Sequence, residues 1–212
     1  MSSAAQPPTI YFVRHGETAW SLTGQHTGRT DLALTANGEA QARALTPSLQ
    51  AIAFTHVLTS PLRRARQTCA LTGLSSAAVV EPDLIEWDYG AYEGQLSVDI
   101  RQQRPGWSLF DDGCPGGEMP GQVAARADRL IAKLAGLSGN IALFSHKQFG
   151  CSLAVRWIGL AVAEGQRLAL DTASLSVLGT DEHHSGTCVI ELWNFVPGPF
   201  SASNTQASTT LP

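Results

Sequence analysis

The chain has 212 residues, 43% of them apolar, with 18 acidic against 14 basic side chains and a formal charge of −4. That length and apolar content suit one compact domain of roughly 150–200 ordered residues around a substantial core. A phosphate-backbone binder needs a basic face, so no nucleic-acid partner is expected. No apolar run reaches the roughly 18–20 residues of a membrane span, so no membrane partner is expected either.

The first residues carry neither a basic nor an apolar signal segment. Cysteines at 69, 114, 151 and 188 lack the close pairing of a zinc knuckle and are too few for a disulfide framework. They read as isolated thiols of a cytoplasmic protein. Residues 1–8 read as a flexible leader and 197–212 as a polar, flexible tail, leaving a single domain over 9–196.

In chain order, 9–13 is a β-branched and aromatic run that predicts a buried strand ending at Arg14-His15-Gly16. Helical spacing of Ala40, Ala44, Leu45, Leu49 and Ile52 predicts a helix over 37–52, capped by Thr35. A strand over 54–59 leads through Ser60-Pro61, read as a cap with proline at the first helical position, into a helix over 62–71. Val79 and Val80 suggest a short strand. Val123, Ala127, Leu130, Ile131, Leu134 and Leu137 predict a helix over 123–137. A strand over 141–144, a helix over 148–158 and strands over 175–178 and 188–194 follow. Alternating strands and helices imply a three-layer α/β/α fold with a mostly parallel central sheet. Ligands bind such sheets beyond the carboxyl ends of the strands, where His15 and His146 fall.

Four segments there carry chemistry. Arg14-His15-Gly16-Glu17-Thr18 sets a guanidinium fork beside an imidazole, with a glycine that permits a tight turn. Ser60-Pro61-Leu62-Arg63-Arg64-Ala65-Arg66 offers arginines at a helix start, a natural phosphate site. Glu86-Trp87-Asp88-Tyr89-Gly90 places carboxylates among aromatics, and Ser145-His146 supplies a second imidazole.

With these four motifs in this order, the chain resembles the histidine phosphatase superfamily, the phosphoglycerate-mutase-like proteins. The resemblance runs from about residue 9 to 194. The longer run from Val13 to Leu32, with Glu86-Trp87-Asp88-Tyr89-Gly90 and Asp112-Gly113-Cys114-Pro115-Gly116-Gly117-Glu118, is similar to the sugar-phosphatase branch that includes fungal sedoheptulose-bisphosphatase. The resemblance implies a phosphoglycerate-mutase-like fold and hydrolysis of a small phosphorylated substrate, a sugar phosphate. It implies His15 as the nucleophile that takes the phosphoryl group. Arg14, Arg64 and His146 become the clamp on its oxygens, and Glu86 the proton donor. Ser21, Gln25, His26, Thr27 and Gly28 fall in a substrate-contacting loop, and Glu118 in a loop bordering the pocket. No metal site and no cofactor are expected. Arginines and a protonated histidine would then neutralise the three equatorial phosphoryl oxygens.

Duller readings stand beside these. Arg63 or Arg66 could be the inward arginine, and Asp88 or Glu93 the acid. His26 could be a solvated rim residue. Trp87, Tyr89 and Tyr92 could stack on a substrate but read first as core packing, and His183-His184 reads as a loop without a ligand. Two positions depart from the family pattern. Lys147 stands where glycine is usual after the second histidine; it either faces solvent or brings a cation to the substrate, and it would be strained if that glycine has positive φ. Met119 stands where serine or threonine would cap the helix behind Pro120. A phosphoglycerate mutase and a non-catalytic phospho-ligand module are the competing functions. No added lid segment is evident between Trp107 and Val123, which favours hydrolysis over mutase chemistry.

Overall fold

The computed structural model describes residues 7–181 and 186–197. Most of the expected leader and tail, and the His183-His184 loop, lie outside the described residues. Six strands form one sheet: β1 (Thr9–Arg14), β2 (Phe54–Thr59), β3 (Ala78–Val80), β4 (Asn140–Ser145), β5 (Leu175–Asp181) and β6 (Thr187–Phe195), in the order β3-β2-β4-β1-β5-β6. The pairs β3–β2, β2–β4 and β4–β1 are parallel, whereas β1–β5 and β5–β6 are antiparallel. Among the described residues, eight α-helices accompany them: α1 (Ala19–Thr23), α2 (Ala36–Ala44), α3 (Thr46–Gln50), α4 (Arg63–Leu71), α5 (Ser97–Gln103), α6 (Leu109–Asp112), α7 (Pro120–Ala135) and α8 (Lys147–Trp157).

The parallel centre is apolar on both faces because helices cover both. Successive residues of β4 divide between two cores: Ile141 and Leu143 pack with α7 and α8, while Ala142 and Phe144 pack with Leu45, Leu49 and Cys69 on the opposite face. Fully burying side chains of this kind contributes roughly 1.5–3 kcal/mol each. At the outer edge β6 is mostly half-buried or exposed, as suits an edge strand with one face open to water.

Several boundaries depart from the sequence expectations. The helix expected over 37–52 is two helices, α2 and α3, divided at Leu45, because Pro47 stands in the first turn of α3 and has no N–H to continue the ladder. Thr35 does cap α2, its hydroxyl accepting from the Gly38 N–H at 2.9 Å. Ser60 does not cap α4. The N-cap is Leu62, and Ser60 instead faces His146. At α7 the chain turns helical at Pro120, three residues before the apolar period begins. Met119 occupies its N-cap without a side-chain oxygen to offer, but the Met119 N–H donates to Gln122 Oε1 at 2.8 Å. That satisfies half of what a capping box would provide. Helices α1, α5 and α6 were not expected: α1 and α6 have only five and four residues, too few to show a period, and only Ile100 of α5 is buried.

Candidate active site

The sheet order explains how residues 131 positions apart meet. Strands β1 and β4 are parallel neighbours with Arg14 opposite Ser145, so the residues that follow, His15 and His146, emerge side by side with ring centroids 5.2 Å apart. Strand β2 flanks β4 on its other side. It delivers Ser60, whose Oγ lies 2.7 Å from His146 Nε2, and then α4 with Arg64.

The turn after β1 is held by close backbone contact. A Cβ on Gly16 would sit 2.3 Å from the Gly38 carbonyl oxygen, so only glycine fits there. The Gly16 N–H donates to Thr68 Oγ1 at 3.0 Å, tying the turn to α4. His15 is 5% exposed, and its Nδ1 lies 2.7 Å from the Gly16 carbonyl oxygen. A carbonyl only accepts, so Nδ1 carries the hydrogen and the Nε2 lone pair is left for a ligand.

Arg64 is fully buried, while Arg63 and Arg66 are exposed, which settles the register of α4. Its Nε–H donates to His146 Nδ1 at 3.1 Å. Its Nη groups donate to the carbonyls of Thr30, Thr27 and Gly28 at 2.9–3.1 Å. That loop is anchored in turn by Glu93, whose carboxylate accepts the Gly28 and Thr30 N–H groups. Arg14 donates through Nη1 to the Leu170 carbonyl, whereas its buried Nε has no partner among the described residues. An unpaired buried donor is costly, and an anion beside His15 would satisfy it.

Glu86 lies across from these groups. Its Oε1 accepts the N–H groups of Trp87 and Phe149 at 2.9 Å, and its Oε2 accepts that of Gln148 at 3.1 Å. The carboxylate is therefore fixed to the first turn of α8. The alternative acids are occupied elsewhere: Asp88 pairs with Arg29 at 3.1 Å, and Glu93 holds the 28–30 loop. A cavity of about 230 Å³ brings together Arg14, His15, Ser21, Gln25, His26, Thr27, Glu86 and Lys147 from the sequence-derived set.

Gly28 and Glu118 do not line it. Gly28 acts through its backbone on Arg64. Glu118 forms a two-pronged ion pair with Arg126 at 2.8 and 2.9 Å and accepts the Asp88 N–H. Arg126 also donates to the carbonyls of Asp83 and Ile85, and it stacks over Phe149. The pair thereby braces the segment that carries Glu86. Arg64 and His146 are likewise not in the cavity wall; they back it through the contacts above. Ser21 has a second duty, closing the capping box of α1 with Thr18.

Sequence reasoning did not single out Ser97 and Gln148 as site residues and placed Tyr89 in the core before the pocket, yet all three line the cavity. Tyr89 stacks on His26 at 4.5 Å; its place inside the Glu86–Gly90 motif was a usable signal. Nothing local marks Ser97 or Gln148. Lys147 is the first residue of α8, in helical conformation, so the strain considered for a residue replacing glycine does not arise.

Burial, then Arg64 and Arg14, hold the His15 imidazole well below the ordinary histidine pKa. Burial, then Arg64, His15, Arg126 and Arg14, do the same for His146. His146 is therefore neutral, not the cation expected: its Nδ1 must accept from an arginine that cannot lose its proton, which leaves Nε2–H to donate to Ser60. Positive charge beside the two histidines comes from Arg14 and Arg64, with Lys147 on the cavity wall. Burial also takes His26 down to about 4, against the opposing pull of Glu93.

These directions fix a pH dependence. Unfolded, all three histidines titrate near 6.5; folded, they stay neutral below that value. The unfolded chain then binds more protons, and stability falls with pH. Unfolding free energies from urea titrations are expected to decline as pH drops below about 6.5, by up to about 1.4 kcal/mol per pH unit for each histidine, with the His26 share complete near pH 4. A flat midpoint between pH 7.5 and 5 contradicts this.

The sequence model of the histidine phosphatase superfamily, branch 1, matches residues 10–196. The chain belongs to the histidine phosphatase superfamily. This histidine phosphatase is 39% identical over 197 residues to an acid phosphatase of Mycobacterium tuberculosis, covering 91% of the chain and 96% of that protein. It is 37% identical to the sedoheptulose 1,7-bisphosphatase of Saccharomyces cerevisiae over 188 residues, covering 73% of the chain and 69% of that protein. Its fold superposes on the solved structure of a Mycobacterium tuberculosis open-reading-frame product with a TM-score of 0.83 and 36% identity, covering 90% of this chain and 98% of that one. Among the described residues, no helix of this histidine phosphatase is long and apolar enough to cross a membrane. Among the same residues, no group of three or more His, Cys, Asp or Glu side chains is placed to hold a metal ion.

Proposed function

We propose that this chain is a cytoplasmic phosphomonoesterase that hydrolyses sugar phosphates through a phosphohistidine on His15, without a metal ion. The phosphatase reading rests on the family and on relatives named acid phosphatase and sedoheptulose 1,7-bisphosphatase. One observation carries the mechanism. His15 is locked with Nδ1–H on the Gly16 carbonyl, and its Nε2 lone pair meets a cavity shared with Arg14, whose buried Nε–H is unpaired among the described residues.

In the first step Nε2 forms a bond to phosphorus while the ester P–O bond breaks. The leaving alkoxide takes a proton from Glu86. In the second, water attacks phosphorus, Glu86 takes its proton, and the P–N bond breaks to release phosphate. Arg14 faces the charge on the equatorial oxygens and Arg64 adds its charge from behind the wall, so the positive field that many phosphoryl-transfer enzymes draw from metal ions comes here from guanidinium groups. Trp107, Leu109, Phe110 and Cys114 are buried in the core, so the segment before α7 is committed to packing rather than to covering the cavity. That supports water as the acceptor.

A phosphate-release screen over sugar mono- and bisphosphates with EDTA present tests the reading. Turnover undiminished by the chelator is expected. A strict Mg²⁺ or Zn²⁺ requirement contradicts it, and conversion of 3-phosphoglycerate to 2-phosphoglycerate without phosphate release assigns the mutase instead.

A further inference from the structure

A second hollow, of about 470 Å³, adjoins the catalytic cavity. The two share His26, Ser97, Lys147 and Gln148, so the second is an outer chamber across a common wall. Among the described residues its lining includes Arg101, Lys147 and Arg167 and no carboxylate, in a chain whose acidic residues outnumber the basic by 18 to 14.

Arg101 and Lys147 have no ion-pair partner among the described residues, whereas Arg167 is ion-paired with Glu164. Arg101 spends Nε on the Trp107 carbonyl at 3.1 Å, and Arg167 spends Nε on Glu164 at 2.7 Å. The Nη groups of both make no hydrogen bond among the described residues. Lys147 is half-buried, and its ammonium has neither a hydrogen bond nor an ion pair among them. A partly desolvated cation without a counter-charge is a poor arrangement until an anion arrives. Its place is also set relative to the chemistry, because the next two N–H groups along the chain, those of Gln148 and Phe149, are bound by Glu86. Trp107, Leu109, Phe110 and Leu168 supply apolar contact along another side of the chamber. His26, with its pKa near 4, adds no charge at neutral pH.

We infer that the outer chamber is a second anion subsite: the substrate carries a phosphate or carboxylate at the far end of its carbon chain, held by Lys147, Arg101 and Arg167 while the scissile phosphate faces His15. This rests on the phosphomonoesterase reading and narrows its substrate class to doubly anionic compounds.

Equilibrium binding to the His15→Ala protein tests it without requiring turnover. Calorimetric titrations use fructose 1,6-bisphosphate, 6-phosphogluconate and fructose 6-phosphate at low ionic strength. At least one doubly anionic compound is expected to bind about tenfold or more tightly than fructose 6-phosphate. Which of the two does so tells a distal phosphate from a distal carboxylate. Adding Lys147→Gln is expected to reduce that preference about threefold, and adding Arg101→Gln and Arg167→Gln to abolish it. Equal binding of all three compounds overturns the subsite, as does a preference that survives the three substitutions. Failure of the wild-type enzyme to hydrolyse p-nitrophenyl phosphate or any other ester overturns the phosphomonoesterase reading instead, and the binding preference still decides the subsite.

Discussion

His15→Ala is expected to reduce phosphate release from every phosphomonoester by about 10³-fold or more while the protein remains folded. The loss is large because the other imidazoles near the cavity are engaged: His26 stacks on Tyr89 with its Nε2 3.1 Å from Ser97 Oγ. His146 has its Nδ1 on Arg64 and its Nε2 on Ser60. The fold survives because the His15 side chain makes a single hydrogen bond, to the carbonyl of its own neighbour Gly16, whereas the turn is held by backbone: His15 N–H to the Ser145 carbonyl, Ala173 N–H to the His15 carbonyl and Gly16 N–H to Thr68. Rapid quenching of the wild type with substrate is expected to trap acid-labile phosphate that the variant lacks. Retention of a tenth of the wild-type rate, or no trapped phosphate, removes His15 from the nucleophile's role.

Glu86→Gln is expected to slow hydrolysis of alkyl phosphates by about 10²–10⁴-fold, the worth of a general acid. Hydrolysis of p-nitrophenyl phosphate is expected to suffer far less, because that leaving group departs without a proton. The structure adds a second consequence. An amide can keep one oxygen on the Trp87 and Phe149 N–H groups, but its NH₂ then faces the Gln148 N–H, two donors without an acceptor. A lost buried hydrogen bond of this kind costs about 1–3 kcal/mol, readable as a lower urea midpoint. Equal losses on the two substrate types move the proton-donor role away from Glu86. Neither Asp88 nor Glu93 is free to assume it without giving up Arg29 or the 28–30 loop.

Much of this molecule was legible in its residues because the signals were local. The strand ending at Arg14 and the one before His146 are short apolar runs, and a parallel sheet covered on both faces demands just that pattern. The register of α4 was not legible. Arg63, Arg64 and Arg66 are chemically alike, and only packing against the 27–30 loop and His146 selects Arg64. Glu118 shows the same limit: read as a pocket-border residue, it is bound to Arg126, eight residues on, which the apolar period of α7 left unremarked.

The protonation state of His146 likewise belongs to the assembled structure. A sequence shows an imidazole near arginines, but burial together with an arginine N–H aimed at Nδ1 makes it neutral. Tyr89 read as core and proved to be both buried and part of the cavity wall, since one aromatic ring can serve both. The residues alone supply the set of groups available: a histidine and an arginine at one strand end, arginines at a helix start, a carboxylate among aromatics and a second histidine. The tertiary structure alone decided which of them face one another. The pairing of β1 with β4 and of β4 with β2 joins segments separated by most of the chain, and contacts of that range leave no periodic trace in any short window of residues.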